Sequence, residues 1–148
     1  MGKTAKSFFT AEQQDEIKQA ILNAELDTSG EIRVHIENIC EGDVLDRAAY
    51  IFKKLNIQKT ELRNGVLFYL ALKNRKFAVL GDSGINKVVP EDYWDTLKAK
   101  MLNHFREDNF TAGLVEGISC VGKYLKKFFP FHSSDVNELT DDISFGEK

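Results

Sequence analysis

The continuous apolar segment at residues 66–72 places the strongest constraint on the fold. Its sequence, Val-Leu-Phe-Tyr-Leu-Ala-Leu, is long enough for a β-strand but lacks the alternation of a strand with one face in water. A strand without alternation is typical of a sheet that is covered on both faces. The segment therefore predicts a central strand between two layers of helices.

A second strand is predicted at residues 31–37, where apolar and polar side chains alternate strictly. An amphipathic helix lies between the two predicted strands, with Asp43 as its N-cap and an end near Asn56. A strand, a helix and a strand in this order form a right-handed parallel crossover in nearly all known sheets. We therefore expect the two strands to be parallel.

The remaining elements complete an α/β fold. A short polar connection at residues 73–75 joins the central strand to residues 76–80, which predicts an antiparallel hairpin. Further helices are predicted at residues 11–26, at residues 90–107 and from Thr111 to Pro130. The expected architecture is a three-layer α/β/α sandwich, in which a small mixed sheet, a parallel β-α-β crossover plus an antiparallel hairpin, is flanked by helices.

Length and charge divide the chain into one domain and a tail. The 148 residues are 43% hydrophobic, as in an ordinary globular domain, which we place at residues 1–134. Residues 135–148 form an acidic C-terminal tail with a net charge of −4. Because the whole chain has a net charge of −3, the domain has a net charge of +1. A net charge of −3 gives no global basic field that would release counterions from a nucleic-acid backbone, so we expect no nucleic acid among its partners.

No segment has the pattern of a transmembrane helix or a secretory signal. The most apolar stretch, residues 110–131, is interrupted by Glu116 and three lysines, which favours a core helix. Residues 1–10 contain two lysines without the apolar run that a signal peptide needs. The sequence thus predicts no transmembrane segment and a cytoplasmic location.

Strand directions predict a metal site at one edge of the sheet. The starts of the first two strands and the end of the third share this edge, so oxygen-bearing side chains from several loops collect there. Oxygen ligands of this kind suit Ca²⁺ or Mg²⁺. No loop has the EF-hand pattern, and solvated acids that cap helices are the alternative interpretation. The candidate metal ligands are Asp82 and Glu91, followed by Asp27 and Asn64.

A competing site is predicted at the opposite edge, since ligands of open α/β sheets bind at the carboxyl ends of parallel strands. Asp43 and Asp46 also fit a different role there, as acids in the first turn of a helix. The polar side chains expected at this edge are Asn38, Glu41, Asp43, Asp46, Asn74 and Arg75.

Charged side chains also occupy the less apolar face of the first strand. Arg33 and His35 share it with Glu31 and Glu37. A helix over that face would leave these groups without water, so they need partners. We expect an internal ion-pair network, with contact of Arg33 to a phosphate or carboxylate as the alternative.

The tetrapeptide Gly-Asp-Ser-Gly at residues 81–84 resembles the region around the nucleophilic serine of trypsin-like proteases. Ile85 and Asn86 follow it, where those proteases have glycine and proline. The chain is also too short and too helical for a double β-barrel. We therefore interpret the tetrapeptide as a glycine-rich turn after a strand.

Four segments, at residues 28–34, 64–70, 75–82 and 84–86, together resemble the TPM domain. This family includes the thylakoid-lumen phosphatase proteins of photosystem repair. The similarity covers about residues 10–128. The family pattern has a small-residue turn into its first strand, an Asn-Gly entry to the second, a basic hairpin, a glycine-containing loop after the third strand and an acid beyond it. These roles fall to Ser29 and Gly30, to Asn64 and Gly65, to Arg75 and Lys76, to Gly81 and Gly84, and to Glu91.

The resemblance implies an α/β/α sandwich, weak binding of Ca²⁺ or Mg²⁺ in loops at the sheet edge and the acid phosphatase activity of some members. Many members carry an export signal and a C-terminal membrane helix, and without these the chain resembles a soluble bacterial branch. The expected function is a divalent-metal-binding domain with phosphomonoesterase activity, for which the sequence identifies no catalytic residue. The alternative is a noncatalytic interaction or adaptor module in membrane-protein assembly or repair, with the acidic tail docking a protein partner.

Overall fold

A four-stranded mixed sheet lies at the centre of the structure, a computed structural model that describes residues 4–130 and 143–146. The strand order is β3-β2-β1-β4. β1 and β2 are parallel, β2 and β3 are antiparallel, and β4 is parallel to β1. The predicted crossover and hairpin are therefore both confirmed. The strands are β1 (Glu31–Glu37), β2 (Gly65–Ala71), β3 (Lys76–Gly81) and β4 (Ser144–Phe145).

Helices cover both faces of this sheet, which confirms the three-layer α/β/α sandwich. α2, α5 and α6 contribute to the larger core on one face, and α3 packs on the other. No helix in the described part of the chain is both long and apolar enough to cross a bilayer. The helices are α1 (Ala5–Phe8), α2 (Ala11–Glu25), α3 (Val44–Lys54), α4 (Ser83–Asn86), α5 (Tyr93–Phe105) and α6 (Phe110–Phe128), with a 3₁₀ turn at Ile57–Lys59.

The central strand β2 is buried along its whole length, as its continuous apolar sequence predicts. Phe68 contributes to the larger core, while Leu67 and Tyr69 contribute to the smaller core beneath α3. Gly117 of α6 makes room for this packing, because a Cβ there would lie 2.6 Å from the sulfur of Met101 and 2.9 Å from the ring of Phe68.

Two helix starts differ from the predicted ones. α6 begins at Phe110 because the side chain of Asn109, rather than Thr111, accepts a hydrogen bond from a backbone N–H of the first turn. The predicted helix at Pro90 begins only at Tyr93, and the Tyr93 N–H donates to the Pro90 carbonyl in the preceding turn. The capping box of Thr10 and Gln13 at the start of α2 is present as expected.

The chain returns to the sheet near its C-terminus. Residues 143–146 lie along β1, with the Gly146 N–H donating to the Ile36 carbonyl at 2.8 Å, and the side chain of Ile143 is buried. A strand of two residues has no recognisable pattern, so the sequence did not indicate it. The other residues of the acidic tail, 135–142 and 147–148, lie outside the described residues.

Candidate functional site

The loops of the predicted metal edge meet as expected. The loops before β1 and β2 and the segment after β3, residues 27–30, 60–64 and 82–86, form what we call the loop junction. Backbone hydrogen bonds connect them: the Asp82 N–H donates to the Gly65 carbonyl at 3.0 Å, and the Gly84 N–H donates to the Arg63 carbonyl at 2.8 Å. Strand direction was therefore a reliable guide to which loops lie together.

Asp82 is the buried acid of the loop junction. Its carboxylate accepts two hydrogen bonds from the guanidinium of Arg63, at 2.7 and 2.8 Å, and one from the Ser83 N–H at 2.7 Å. The Asp82 side chain is 6% exposed, whereas that of Arg63 is 51% exposed. The acid therefore combines two roles, as the N-cap of α4 and as the anchor of a solvent-exposed cation.

The other candidate metal ligands have different environments. Asn64 is buried, and its amide donates to the Ser29 hydroxyl at 3.2 Å. Asp27 is exposed and has a left-handed backbone conformation with φ 62°, and Glu91 is exposed before α5. Within residues 4–130 and 143–146, no group of three or more His, Cys, Asp or Glu side chains is arranged to hold a metal ion.

A second concentration of polar groups lies on the face of the sheet beneath α3. We call His35, Glu37, Arg47, Tyr69 and Ser144 the polar cluster. Glu37, 1% exposed, is at its centre and accepts two hydrogen bonds from Arg47, at 2.8 and 2.9 Å, and one from the Tyr69 hydroxyl. The ion-pair network expected for this face of β1 is thus present around Glu37. Arg33, which shares the face, is also buried.

His35 connects Glu37 to the C-terminal strand. Its Nε2 lies 3.4 Å from Glu37 Oε1, and its Nδ1 lies 2.8 Å from Ser144 Oγ. The ring is also stacked on Tyr69, with an interplanar angle of 11°. The parallel pairing of β1 and β4 places Ser144 directly opposite His35. The backbone register therefore sets the contact between the two side chains.

Burial and hydrogen bonding move the pKa values of the cluster apart. Burial alone would raise the pKa of Glu37, but the hydrogen bonds from Arg47 and Tyr69 outweigh it and lower this pKa from 4.5 to about 2. Burial lowers the pKa of His35 from 6.5, despite the opposing effect of Glu37. Burial and the bond to Glu37 raise the pKa of Tyr69. At neutral pH the cluster thus contains a carboxylate, a guanidinium and a neutral imidazole.

A cavity of about 480 Å³ opens beside the cluster. Converging polar groups with shifted pKa values in a concave space are the usual marks of a binding or active site. The lining residues are His35, Glu37, Arg47, Ile51, Lys54, Leu55, Ser144, Phe145 and Gly146.

Three of the residues expected at the competing edge, Asp43, Asn74 and Arg75, make contacts that stabilise helices and loops. Asp43 is the N-cap of α3 and accepts a hydrogen bond from the Leu45 N–H at 2.7 Å. Asn74 accepts from the Cys40 N–H at 2.6 Å. Arg75 is ion-paired with Asp108. For the polar cluster, the sequence indicated the charged side chains of β1 but not Ser144. The position of Ser144 depends on β4, a strand that has no sequence signal.

The lowered pKa of His35 has a testable effect on stability. Below pH 6.5 the unfolded chain binds a proton at this position more readily than the folded chain, so stability falls as pH falls. His35→Gln cannot take up this proton and should not show this loss. We therefore expect the difference between its urea midpoint and that of the wild type to become smaller as the pH is lowered from 7.5 to 5.5. His104→Gln leaves the cluster intact and should keep the wild-type loss. A constant gap between His35→Gln and the wild type would contradict a buried neutral His35.

The chain matches a known protein-domain family. Residues 3–124 match the model of the TPM domain, which is most of the chain, so the chain belongs to the TPM domain family. No match was found among the curated proteins.

Solved structures extend this assignment. The NMR structure of BA42 protein from the psychrophilic bacterium Bizionia argentinensis is 46% identical, covers 99% of this chain and 100% of that chain, and has a TM-score of 0.88. The N-terminal domain of a protein from P. gingivalis is 20% identical, with coverages of 84% and 82% and a TM-score of 0.71. The N-terminal domain of cg2496 protein from Corynebacterium glutamicum is 13% identical, with coverages of 86% and 80% and a TM-score of 0.65. The last two support the fold alone.

Proposed function

We propose that this TPM domain binds Ca²⁺ or Mg²⁺ at the loop junction and uses the ion to hydrolyse phosphate monoesters. The observation that carries the proposal is the state of Asp82, a buried carboxylate whose two oxygens are bound by a largely exposed guanidinium. The positively charged guanidinium of Arg63 occupies the space in front of this carboxylate. A divalent ion, with its higher charge, would compete for the same two carboxylate oxygens.

The neighbouring side chains supply further oxygen ligands of the kind that Ca²⁺ and Mg²⁺ take. Asn64 belongs to the same junction and would add an amide oxygen beside Asp82 in the ligand set. Asp27 and Glu91 are exposed in adjoining segments and would have to move towards the ion to serve as further ligands. Water molecules would fill the remaining positions, as is usual for Mg²⁺. Exposed ligands give a weak site, since ordering them on binding costs conformational entropy.

If Asp82 held the ion, Arg63 would be released from its present contact with Asp82 and could bind the substrate. A guanidinium binds phosphoryl oxygens in the same bidentate manner as it binds a carboxylate. When bound, the ion would supply Lewis-acid polarisation of a phosphoryl oxygen, and Arg63 would hold another. Water would then displace the alcohol, so that monoester and water give alcohol and phosphate. Asp82 and Arg63 are therefore coupled: one binds the ion and the other binds the substrate.

Calorimetric titration with Ca²⁺ and Mg²⁺, together with hydrolysis of p-nitrophenyl phosphate, tests this proposal. We expect Asp82→Asn to weaken cation binding by about tenfold or more, because affinity follows the charge of the ligands. Arg63→Met should bind the ion at least as tightly as the wild type but lose turnover. The matched control is Asp46→Asn, which removes an equal charge from an exposed position in the first turn of α3.

Wild-type cation affinity in Asp82→Asn would contradict the site. Cation binding by the wild type without metal-dependent turnover would contradict the phosphomonoesterase activity. That result would favour the other function expected from the sequence, a noncatalytic interaction module.

A further inference from the structure

The polar cluster contains a hydroxyl, an imidazole and a carboxylate connected in a row. Ser144 Oγ is 2.8 Å from His35 Nδ1, and His35 Nε2 is 3.4 Å from Glu37 Oε1. A hydroxyl within hydrogen-bond reach of a base, with that base oriented by a third group, is the arrangement that activates a serine nucleophile. Such arrangements are recognised by geometry and not by the order of the residues in the chain.

The supporting contacts fix the base in place. Arg47 and Tyr69 hold the Glu37 carboxylate from two directions, and the ring of Tyr69 is stacked on the imidazole. His35 is 6% exposed and Glu37 is 1% exposed. Because both are buried and hydrogen-bonded, the imidazole is held in one orientation towards Ser144, and such fixed positioning is a general requirement of an efficient site.

The nucleophile is supplied by the C-terminal strand. Pairing with β1 places Ser144 opposite His35. Two residues later, a Cβ at Gly146 would lie 2.5 Å from Glu37 Oε1, so only glycine lets this strand approach the cluster so closely. The hydroxyl faces the cavity of about 480 Å³, whose lining also carries the positive charges of Arg47 and Lys54.

We propose that Ser144 is the nucleophile of a second hydrolytic site, with His35 as its general base, which cleaves small carboxylic esters bound in this cavity. Glu37 is a positioning residue that acts through His35. The site is separate from the loop junction, because the two lie at opposite ends of β1, roughly 20 Å apart for a strand of this length. The inference therefore does not depend on the proposed metal-assisted activity.

The reaction balances with water as the second substrate. Ser144 Oγ forms a bond to the carbonyl carbon while its proton passes to His35 Nδ1. The ester C–O bond then breaks, and the leaving alkoxide takes that proton. Water next attacks the acyl-serine and gives a proton to His35, which returns it to Ser144 Oγ as the carboxylic acid leaves. Lys54 contributes positive charge near the oxyanion that develops in both steps.

Covalent labelling with a fluorophosphonate probe tests the nucleophile directly in the full chain. We expect one adduct at pH 8, assigned to Ser144 by peptide mass spectrometry, and slow hydrolysis of p-nitrophenyl acetate. Ser144→Ala should lose both. The matched control, Ser119→Ala, removes an exposed serine of α6 and should keep both. No adduct, or an adduct at Ser83 at the start of α4, would overturn the proposal.

The pH dependence of labelling tests the roles of His35 and Glu37. His35→Gln, shown to be folded by its amide NMR spectrum, should label about 100-fold more slowly or worse, since it lacks the general base. In the wild type the rate should fall as pH falls below 6.5, because the imidazole becomes protonated. The charged and titratable groups that face this imidazole are Glu37, Arg47, Lys54 and Tyr69.

Glu37→Gln distinguishes a positioning role of Glu37 from a merely structural one, because only a positioning role should shift the pH profile of labelling. The charge of Glu37 raises the pKa of His35, so its loss should move the midpoint of the pH profile to lower pH while slowing the reaction. An unchanged midpoint would contradict the positioning role. A wild-type rate in folded His35→Gln would overturn the assignment of the base.

Discussion

Replacement of Arg47 by methionine is expected to destabilise the fold by about 2–3 kcal/mol at pH 7. The variant keeps the length of the side chain but removes the charge and both hydrogen bonds to Glu37, leaving a carboxylate that is 1% exposed without its cation. Breaking a fully buried ion pair costs about 3–5 kcal/mol. Since the Arg47 side chain is 34% exposed, water screens the interaction and we expect less.

The pH dependence of this loss identifies its cause. The pKa of Glu37 is depressed from 4.5 to about 2, so its ion pair stabilises the wild type above pH 4.5 and this stabilisation disappears as pH falls towards 2. The difference in unfolding free energy between wild type and variant should therefore shrink between pH 5 and pH 2.5. Urea denaturation at several pH values within this range measures it.

Arg106→Met is the control for Arg47→Met, because it removes an exposed arginine at the end of α5. We expect a change within about 0.5 kcal/mol, as for most surface substitutions. An equal loss for Arg47→Met at pH 5 and pH 2.5 would show that packing, rather than the Glu37 ion pair, accounts for its destabilisation.

The largest loss of stability is expected for Phe68→Ala, at about 3–5 kcal/mol. Phe68 is fully buried in the central strand, and its ring lies against the position where Gly117 leaves α6 without a side chain. β2 is paired with β1 on one side and β3 on the other, which limits how far its backbone can move into the resulting space. The variant should therefore keep the fold and contain a cavity between sheet and helix.

Thermal unfolding followed by circular dichroism measures this effect, and we expect a midpoint lower by roughly 10 °C. Leu22→Ala is the matched control, since Leu22 is 44% exposed on α2 and its truncation should change stability by no more than about 0.5 kcal/mol. Equal losses for the two variants would contradict the placement of Phe68 in the core.

Sequence patterns predicted most of the helices and strands, because buried side chains recur at regular intervals along each element. The alternation in residues 31–37 and the unbroken apolar run at residues 66–72 each match an observed strand, β1 and β2. Helix ends were less accurate, since a cap depends on one side chain: Asn109 competes with Thr111 for the start of α6. The strand at Ser144–Phe145 had no pattern to detect, because pairing with β1 defines it.

The candidate sites were also predictable only in part: the sequence indicated which loops lie together, but not the individual side-chain contacts. Topology correctly brought the loops around Asn64 and Asp82 together, since strand directions determine which ends share an edge. Sequence could not show that Arg63 already binds Asp82, because the contact joins side chains 19 positions apart in loops that no pattern pairs. It also could not pair His35 with Ser144, which is 109 positions further along the chain.

The central claim is that a divalent ion binds at the loop junction, and an amide NMR titration of metal-stripped protein with Ca²⁺ and then Mg²⁺ tests it most directly. We expect saturable shifts confined to residues 27–31, 60–65 and 81–92, which are absent in Asp82→Asn and retained in Asp46→Asn. Residues 35–37 and 144–146 of the polar cluster should keep their positions. Saturable shifts centred on the cluster, or none at either place, would contradict the proposed cation site.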